Sequence, residues 1–336
     1  MTIVVTGAAG HVGGNLVRAL LVRGSHVRAL VHRDRRTLEG LEVETVEGDL
    51  RDPASLCRAF RGADVVYHAA GRISISTGEW PLLEQVNVVG TRNVVDACLE
   101  CGVRRLIHFS SIHAFQQEPL DARLDESRPQ VRPPGCAPYD RSKAAGEVEI
   151  RKGIARGLDA VILNPTAILG PYDFRPSHQG EAVLSIANGS LPALVEGGFD
   201  WVDVRDVVEA AMRAEARAPS GAQYLLSGHW VSVCEMAATI EEITGARTPR
   251  FVCPIWLAFL GVPFVAVWAW LTGKRALYTS VSLKTLRSSN QAISHERATR
   301  ELGYRPRPFR ETLADTLHWF AEAGMLAVQS PRLSWG

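Results

Sequence analysis

Thr6-Gly-Ala-Ala-Gly-His-Val-Gly13 begins five residues into the chain, and its reading decides the fold. Just before it, Ile3-Val4-Val5 is the short apolar run of a buried parallel strand. Just after it, the apolar residues of Asn15 to Arg23 have helical spacing. Strand, glycine-rich turn and helix in that order form a cradle for a dinucleotide pyrophosphate. Gly7 allows the tight turn, and Gly10 lets the backbone approach the anion. Gly13 permits close packing of helix on strand, and the helix N-terminus at His11 and Val12 offers free N–H groups. The spacing is Gly-x-x-Gly-x-x-Gly, not the commoner Gly-x-Gly-x-x-Gly.

Working outward, short apolar runs alternate with helical patterns through the first half of the chain. Strands are expected at Thr2–Thr6, His26–Val31, Val43–Glu47, Val65–Ala69, Leu106–Ser110 and Ala160–Asn164. Helices are expected at His11–Arg23, Pro53–Phe60, Leu82–Cys101 and Tyr139–Arg156. That alternation predicts an α/β fold with a doubly wound parallel sheet. Its ligands belong beyond the carboxyl ends of the strands. After about residue 170, Pro171, Pro176, Pro192 and Gly197-Gly198 break the pattern. Helices are expected there near Asp203–Glu215, Glu235–Thr244 and Phe309–Ala323. The division expected is a dinucleotide-binding domain over 1–170 and a smaller substrate lobe over 171–330. The two interleave, with Ala222–Leu226 returning to the first sheet.

Composition narrows the function classes. The chain has 336 residues, 46% hydrophobic, with a formal net charge of +1. That balance argues against a nucleic-acid surface and against disorder. Six cysteines are scattered, and Cys98-Leu-Glu-Cys101 lacks further ligands, so no metal site is expected. The first strand starts at residue 2, which leaves no room for a signal peptide and points to the cytoplasm. Phe251 to Thr272 is uncharged and about long enough to span a bilayer, but Pro254, Gly261 and Pro263 interrupt it. It reads as a helix packed over a substrate pocket, with a peripheral membrane or partner surface as the alternative. Its Trp256, Phe259, Phe264, Trp268 and Trp270 suit an apolar ligand and a helix-packing core equally.

Two further stretches carry chemistry. In Tyr139-Asp-Arg-Ser-Lys143, positions i and i+4 share one helical face. A free phenol titrates near pH 10, and a neighbouring ammonium favours the phenolate. Such a pair exchanges a proton with an oxygen whose carbon exchanges hydride. Leu106-Ile-His-Phe-Ser-Ser-Ile112 ends an apolar strand in Ser110 and Ser111, placed to orient that oxygen. At the end of the second strand, Val31 is followed by His32-Arg33-Asp34-Arg35-Arg36. No carboxylate stands at the strand end to take a ribose 2′-hydroxyl, and arginines suit a 2′-phosphate. NADP(H) is therefore favoured over NAD(H), with His32, Arg33 and Arg36 as its contacts; Asp34 keeps NAD open. The plain reading of these arginines is a solvated loop.

Glycine turn, strand-end serine and Tyr-x-x-x-Lys, in this order, resemble the extended short-chain dehydrogenase/reductase superfamily, which includes the NAD-dependent epimerases and dehydratases. The resemblance spans nearly the whole chain, to Leu302-Gly-Tyr-Arg-Pro306. It implies a Rossmann-type sheet and a catalytic set of Ser111, Tyr139 and Lys143, with Ser110 as neighbour. It also places Asp49 and Leu50 at the adenine, and Ala69, Ala70 and Gly71 over the adenosine. Asn87 falls at the family's central-helix asparagine, and Asn164, Pro165 and Thr166 lie beside the nicotinamide. A homodimer through helices Leu82–Cys101 and Tyr139–Arg156 is implied as well.

Val27–Val31 and the 41–51 region look like the dihydroflavonol-reductase and 3β-hydroxysteroid-dehydrogenase branch; a hopanoid-associated, sugar-epimerase-like group shares that look. The reaction expected is hydride transfer between nicotinamide and a carbonyl or secondary alcohol of an apolar small molecule. A nucleotide-sugar epimerase or dehydratase is the alternative, with Arg205 and Arg287 as candidate diphosphate cations. A non-catalytic dinucleotide sensor is the third reading, and it predicts a broken catalytic set.

Overall fold

The computed structural model describes the chain except residues 33, 75–77, 192, 273–278 and 327–336, and describes 265–272 as helical backbone alone. Arg33 and the side chains of Trp268 and Trp270 thus lie outside the described residues. The first half runs β1 (Thr2–Thr6), α1 (His11–Val22), β2 (His26–Val31), β3 (Glu44–Glu47), α2 (Pro53–Phe60), β4 (Val65–His68), α3 (Trp80–Leu83), α4 (Gly90–Glu100), β5 (Arg105–Phe109), α5 (Pro138–Ala155) and β6 (Ala160–Pro165). The second half runs β7 (Ala167–Leu169), α6 (His178–Ala187), β8 (Leu194–Val195), β9 (Gly198–Asp203), α7 (Val204–Arg217), β10 (Gln223–Leu226), β11 (His229–Ser232), α8 (Val233–Thr244), β12 (Val252–Cys253), α9 (Ile255–Thr272), α10 (Ser280–Arg287), α11 (Glu296–Leu302) and α12 (Phe309–Glu322).

The main sheet has seven strands in the order β10-β6-β5-β4-β1-β2-β3, all parallel. Strand order reverses between β1 and β4, so a crevice opens beyond their carboxyl ends. Both faces are covered. Val5 and Tyr67 pack under α1, whose Leu16, Val17 and Leu20 are buried, while Val4 and Val66 pack against α2 and α4. Burial on both faces is why these strands read as continuous apolar runs rather than alternating ones.

The lobes interleave. β10 pairs with β6, Gln223 against Ile162, as the edge of the main sheet. α7 adds Val207, Val208 and Ala211 to the same core as α1. A cut at residue 170 therefore leaves a helix and an edge strand of the first sheet in the second half. The smaller lobe proper is the three-stranded sheet β11-β9-β7 packed on α6, α8 and α12 around Ile186, Trp201, Met236, Leu317 and Phe320. Side-chain caps help stop its helices: Ser177 accepts from the Gly180 N–H, and Ser232 with Glu235 forms a capping box, each of order 1 kcal/mol.

Two expectations are corrected. The single helix expected over Leu82–Cys101 is instead α3 and α4 joined by a π-helical turn, Glu84–Val89. The cause is local: Asn87 in that turn is held by the Arg72 backbone and by Ser142. The apolar helix α9 does not itself line the cavity described below. Ile255, Ala258, Phe259 and Val262 pack with Leu283 and Leu286 of α10, and α10 lines the cavity instead. A helix apolar all round buries only the face it can pack. Trp256 and Phe264 point outward, 64% and 77% exposed. Among the described residues no helix is long and apolar enough to cross a membrane.

Candidate active site

The glycine turn comes first because it places α1. Gly7 has φ +70°, a conformation L side chains rarely adopt, and a Cβ there would lie 2.5 Å from the Ala70 nitrogen. A Cβ on Gly13 would lie 2.1 Å from the Gly7 oxygen, so only glycine lets α1 start this close to the turn. A Cβ on Gly10 would meet protein only at 3.3 Å, leaving its outer side open. Gly10 caps α1 without a side-chain hydrogen bond and no acidic residue stands in the first turn. The N–H groups of His11, Val12 and Gly13 therefore face that open side without intrahelical acceptors, as an anion site requires. The residues present fit a dinucleotide pyrophosphate.

The adenosine side follows from β2, β3 and β4. β2 ends at Val31 with no carboxylate on its last residue. Arg36 is paired with Asp34 at 2.6 Å, and Arg51 with Asp49 at 2.6 Å. These pairings hold both carboxyls down near pKa 2, the hydrogen-bonded guanidinium being the larger cause in each. His32 lies 3.4 Å from Asp49. Leu50 is buried against Gly90, so only its backbone reaches outward. Ala69 and Ala70 hang on Thr6 through backbone and hydroxyl bonds of 3.2 and 3.3 Å. Ala69 and Gly71 line the cavity.

A cavity of about 380 Å³ lies beyond the strand ends, between the main sheet and the smaller lobe. His11, Val12, Ser110, Ser111, Tyr139 and Lys143 line it together, with Pro165 and Thr166 beside them. β5 delivers Ser110 and Ser111 at its end, and α5 delivers Tyr139 and Lys143 one turn apart. Ser111 accepts from the His113 N–H at 3.3 Å, and its hydroxyl meets the Tyr139 phenol. Lys143 donates to the Phe109 carbonyl at 3.1 Å.

The electrostatics differ from the expectation in one respect. Burial pushes the Tyr139 phenol above its ordinary value, with Ser111 opposing and Asp140 adding to the rise. The expected lowering is absent because the Lys143 ammonium is engaged with Phe109 rather than with the phenol. Burial brings Lys143 down to about 8, with Glu147 pulling it back up. Beneath them His68 and His108 stack with ring centroids 5.1 Å apart. Burial pushes His68 to about 3 and His108 well below its usual range, so both are neutral at pH 7.

Two of the residues matched to the cofactor are turned into the protein. Asn87 spends its amide on the Arg72 backbone and on Ser142, tying the loop after β4 to α5. Asn164 is fully buried and donates to the Ser111 carbonyl at 2.8 Å and to Glu147 at 2.6 Å. The arginines considered for a diphosphate stay away from the cavity wall. Arg205 is locked by Asp203 and Asp315 at 2.7 and 2.6 Å, and Arg287 is exposed at the end of α10.

Sequence reading missed several groups. His113 Nδ1 lies 3.0 Å from Asp140, linking the segment after Ser111 to the one after Tyr139, and both line the cavity. Asp200 of β9 lines it too; burial raises its carboxyl to about 6, against hydrogen bonds from Thr166 and the Gly228 N–H. Their signal was weak because each is defined by a partner far along the chain.

Fold, glycine turn and Ser-Tyr-Lys constellation together define a nicotinamide-dinucleotide-dependent enzyme. A model of the NAD dependent epimerase/dehydratase family matches residues 3–226, and the chain belongs to that family. It is 40% identical to sterol demethylase protein B of Methylococcus capsulatus, over 97% of this chain and all of that one. It is 32% identical to a putative dihydroflavonol 4-reductase of Synechocystis sp., over 97% and 96%. Among solved structures, the crystal structure of gox2253 superposes with a TM-score of 0.84 at 31% identity, covering 97% of this chain and 99% of that one.

Proposed function

We propose that the chain transfers hydride between NADP(H) and a carbonyl or secondary alcohol on an apolar, ring-bearing substrate. One observation carries the reading. The cavity that holds Ser111, Tyr139 and Lys143 continues into an apolar wall of Ile112, Ile168, Ile186, Phe199, Met236 and Leu286. Neither Arg205 nor Arg287 reaches that wall, so the cations a sugar diphosphate needs are not supplied by them. The names of the relatives, a sterol demethylase protein and a dihydroflavonol reductase, support the same choice. The epimerase reading draws its support from the family's name alone.

The bound cofactor would give or take the hydride. In the protein, Ser111 would orient the substrate oxygen and Tyr139 would move the proton to or from it. Lys143 would lend positive charge, and the N–H groups of His11 to Gly13 would hold the pyrophosphate. Asp49 with Leu50, Ala69 to Gly71 and the backbone near Pro165 and Thr166 would flank the rest of the dinucleotide. For NADP(H), Arg36 and His32 stand beside the end of β2, and Arg36 must leave Asp34 to meet a 2′-phosphate. Intact Ser111, Tyr139 and Lys143 speak against the sensor reading.

Peripheral contact with a lipid surface through α9 is supported by Trp256, Leu260 and Phe264, 64%, 62% and 77% exposed. A homodimer through α4 and α5 is supported by the exposure of Val148 on α5, 42%.

Titration with NADPH and NADH, followed by a panel of steroids, flavonoids and sugar nucleotides, tests the function. Tighter binding of NADPH and net change in its absorbance with an apolar carbonyl or alcohol is the expected result. Turnover of a sugar nucleotide with no net absorbance change would overturn it.

A further inference from the structure

Glu147 lies one helical turn after Lys143 on α5 and is fully buried. It is an acid with no place in the hydride-transfer scheme above. Such a group is costly unless it is paired and hydrogen-bonded. Its carboxylate accepts from Asn164 at 2.6 Å, from Gln223 at 2.9 Å and from Gln130. Those donors come from β6, β10 and the loop before α5, so four separate segments converge on one carboxylate. Asn164 also donates to the Ser111 carbonyl at 2.8 Å, and Gln223 donates to the Asn164 oxygen at 2.8 Å. The chain of bonds thus runs from Glu147 to the backbone of the strand-end serine.

The charges around it are few. Arg151 stands 3.8 Å from the carboxylate, half exposed, and is also bonded to Gln223. Lys143 is the cation on the cavity side. Facing Lys143 are His68 from β4, His108 from β5, and Tyr139 and Glu147 from its own helix. The histidines are held neutral by burial, so Glu147 is the anion that acts on the lysine.

We propose that Glu147 is a positioning residue for this site: its buried carboxylate keeps Lys143 an ammonium, and through Asn164 it fixes the strand end that carries Ser111. Burial alone brings the lysine toward loss of its proton near neutral pH, and the carboxylate opposes that. Lys143 then stays charged where Tyr139 must work. Three amide donors hold the carboxylate in place without neutralising it, which leaves its charge for the lysine.

The chain has four lysines, at 143, 152, 274 and 284, so the side-chain signals of protein labelled with carbon-13 lysine are few enough to follow. Lys143 is assigned by the signal lost in Lys143→Arg, and its titration is read directly by NMR. In Glu147→Gln the Lys143 midpoint should fall by about one pH unit or more. In Arg151→Gln, which removes a competing cation, the midpoint should rise. The opposite signs keep the test decisive where one variant fails to fold, and melting curves identify that case. A folded Glu147→Gln protein with an unmoved Lys143 midpoint overturns the proposal, as does a fall in Arg151→Gln. The proposal builds on the role given to Lys143 above. Because the readout is the lysine's own titration and needs no substrate, it can fail while the hydride-transfer reading stands, and the reverse.

Discussion

Replacing Gly13 by alanine and Gly10 by alanine should have opposite consequences, although the two glycines lie three residues apart in one turn. At Gly13 the added carbon lies 2.1, 2.6 and 2.9 Å from the Gly7 oxygen, the Gly7 carbonyl carbon and the Ala8 Cα. All three are backbone atoms, so no side chain can swing aside and α1 itself must shift. Overpacking costs about 1–3 kcal/mol, and a clash with backbone alone belongs at the upper end, about 3 kcal/mol. For a chain of this size that lowers Tm by roughly 5–10 °C. At Gly10 the nearest atom is 3.3 Å away and φ is −86°, so alanine fits the free protein with less than about 1 kcal/mol of strain. Its methyl would instead stand on the side where the pyrophosphate approaches. Melting curves with and without NADPH separate the two. Wild type should gain about 2.7 kcal/mol of stability at a hundredfold excess of nucleotide over Kd. Gly13→Ala should melt low without nucleotide. Gly10→Ala should melt near wild type without nucleotide and lose most of the nucleotide-induced rise. A Gly13→Ala protein that melts like wild type, or a Gly10→Ala protein that keeps the full rise, refutes the reasoning.

Tyr139→Phe should lower turnover by roughly 10²-fold or more, the usual weight of general acid–base catalysis, while NADPH affinity stays within a few-fold of wild type; undiminished turnover would remove Tyr139 from the proton path. Asp200 carries a carboxyl raised to about 6 from an ordinary 3.8, so between those values the folded protein holds more protons than the unfolded chain. Its contribution therefore declines as pH rises from about 4 to 6, and Asp200→Asn should flatten that part of the stability profile in urea titrations; an unchanged slope contradicts the assignment. Replacing Trp256 and Phe264 together by serine should leave Tm nearly unchanged, because both are outward, and should abolish co-sedimentation with phosphatidylcholine vesicles. Equal sedimentation of the variant and wild type would clear α9 of lipid contact.

The main sheet was legible because its signals are local. A strand buried on both faces is apolar residue after residue, and β1, β2 and α2 fall where the pattern puts them. The smaller lobe was not, since β7, β8, β9, β11 and β12 are two to six residues long and partly exposed, too short for a period to register. The turn inside α3–α4 was hidden for a different reason. Its cause is Asn87 bonding to Arg72 and Ser142, fifteen and fifty-five residues away.

By itself, the sequence determined the doubly wound architecture, the glycine cradle and the order Ser111, Tyr139, Lys143, because each is written in neighbouring residues whose spacing carries its own geometry. Tertiary structure alone decided which charges reach the cavity. Arg205 looked free to bind a diphosphate until Asp203 and Asp315 closed on it, and Asn164 looked like a cofactor contact until it turned toward Ser111 and Glu147. A side chain's chemistry is local, but its availability depends on partners that only the folded chain brings within hydrogen-bond reach.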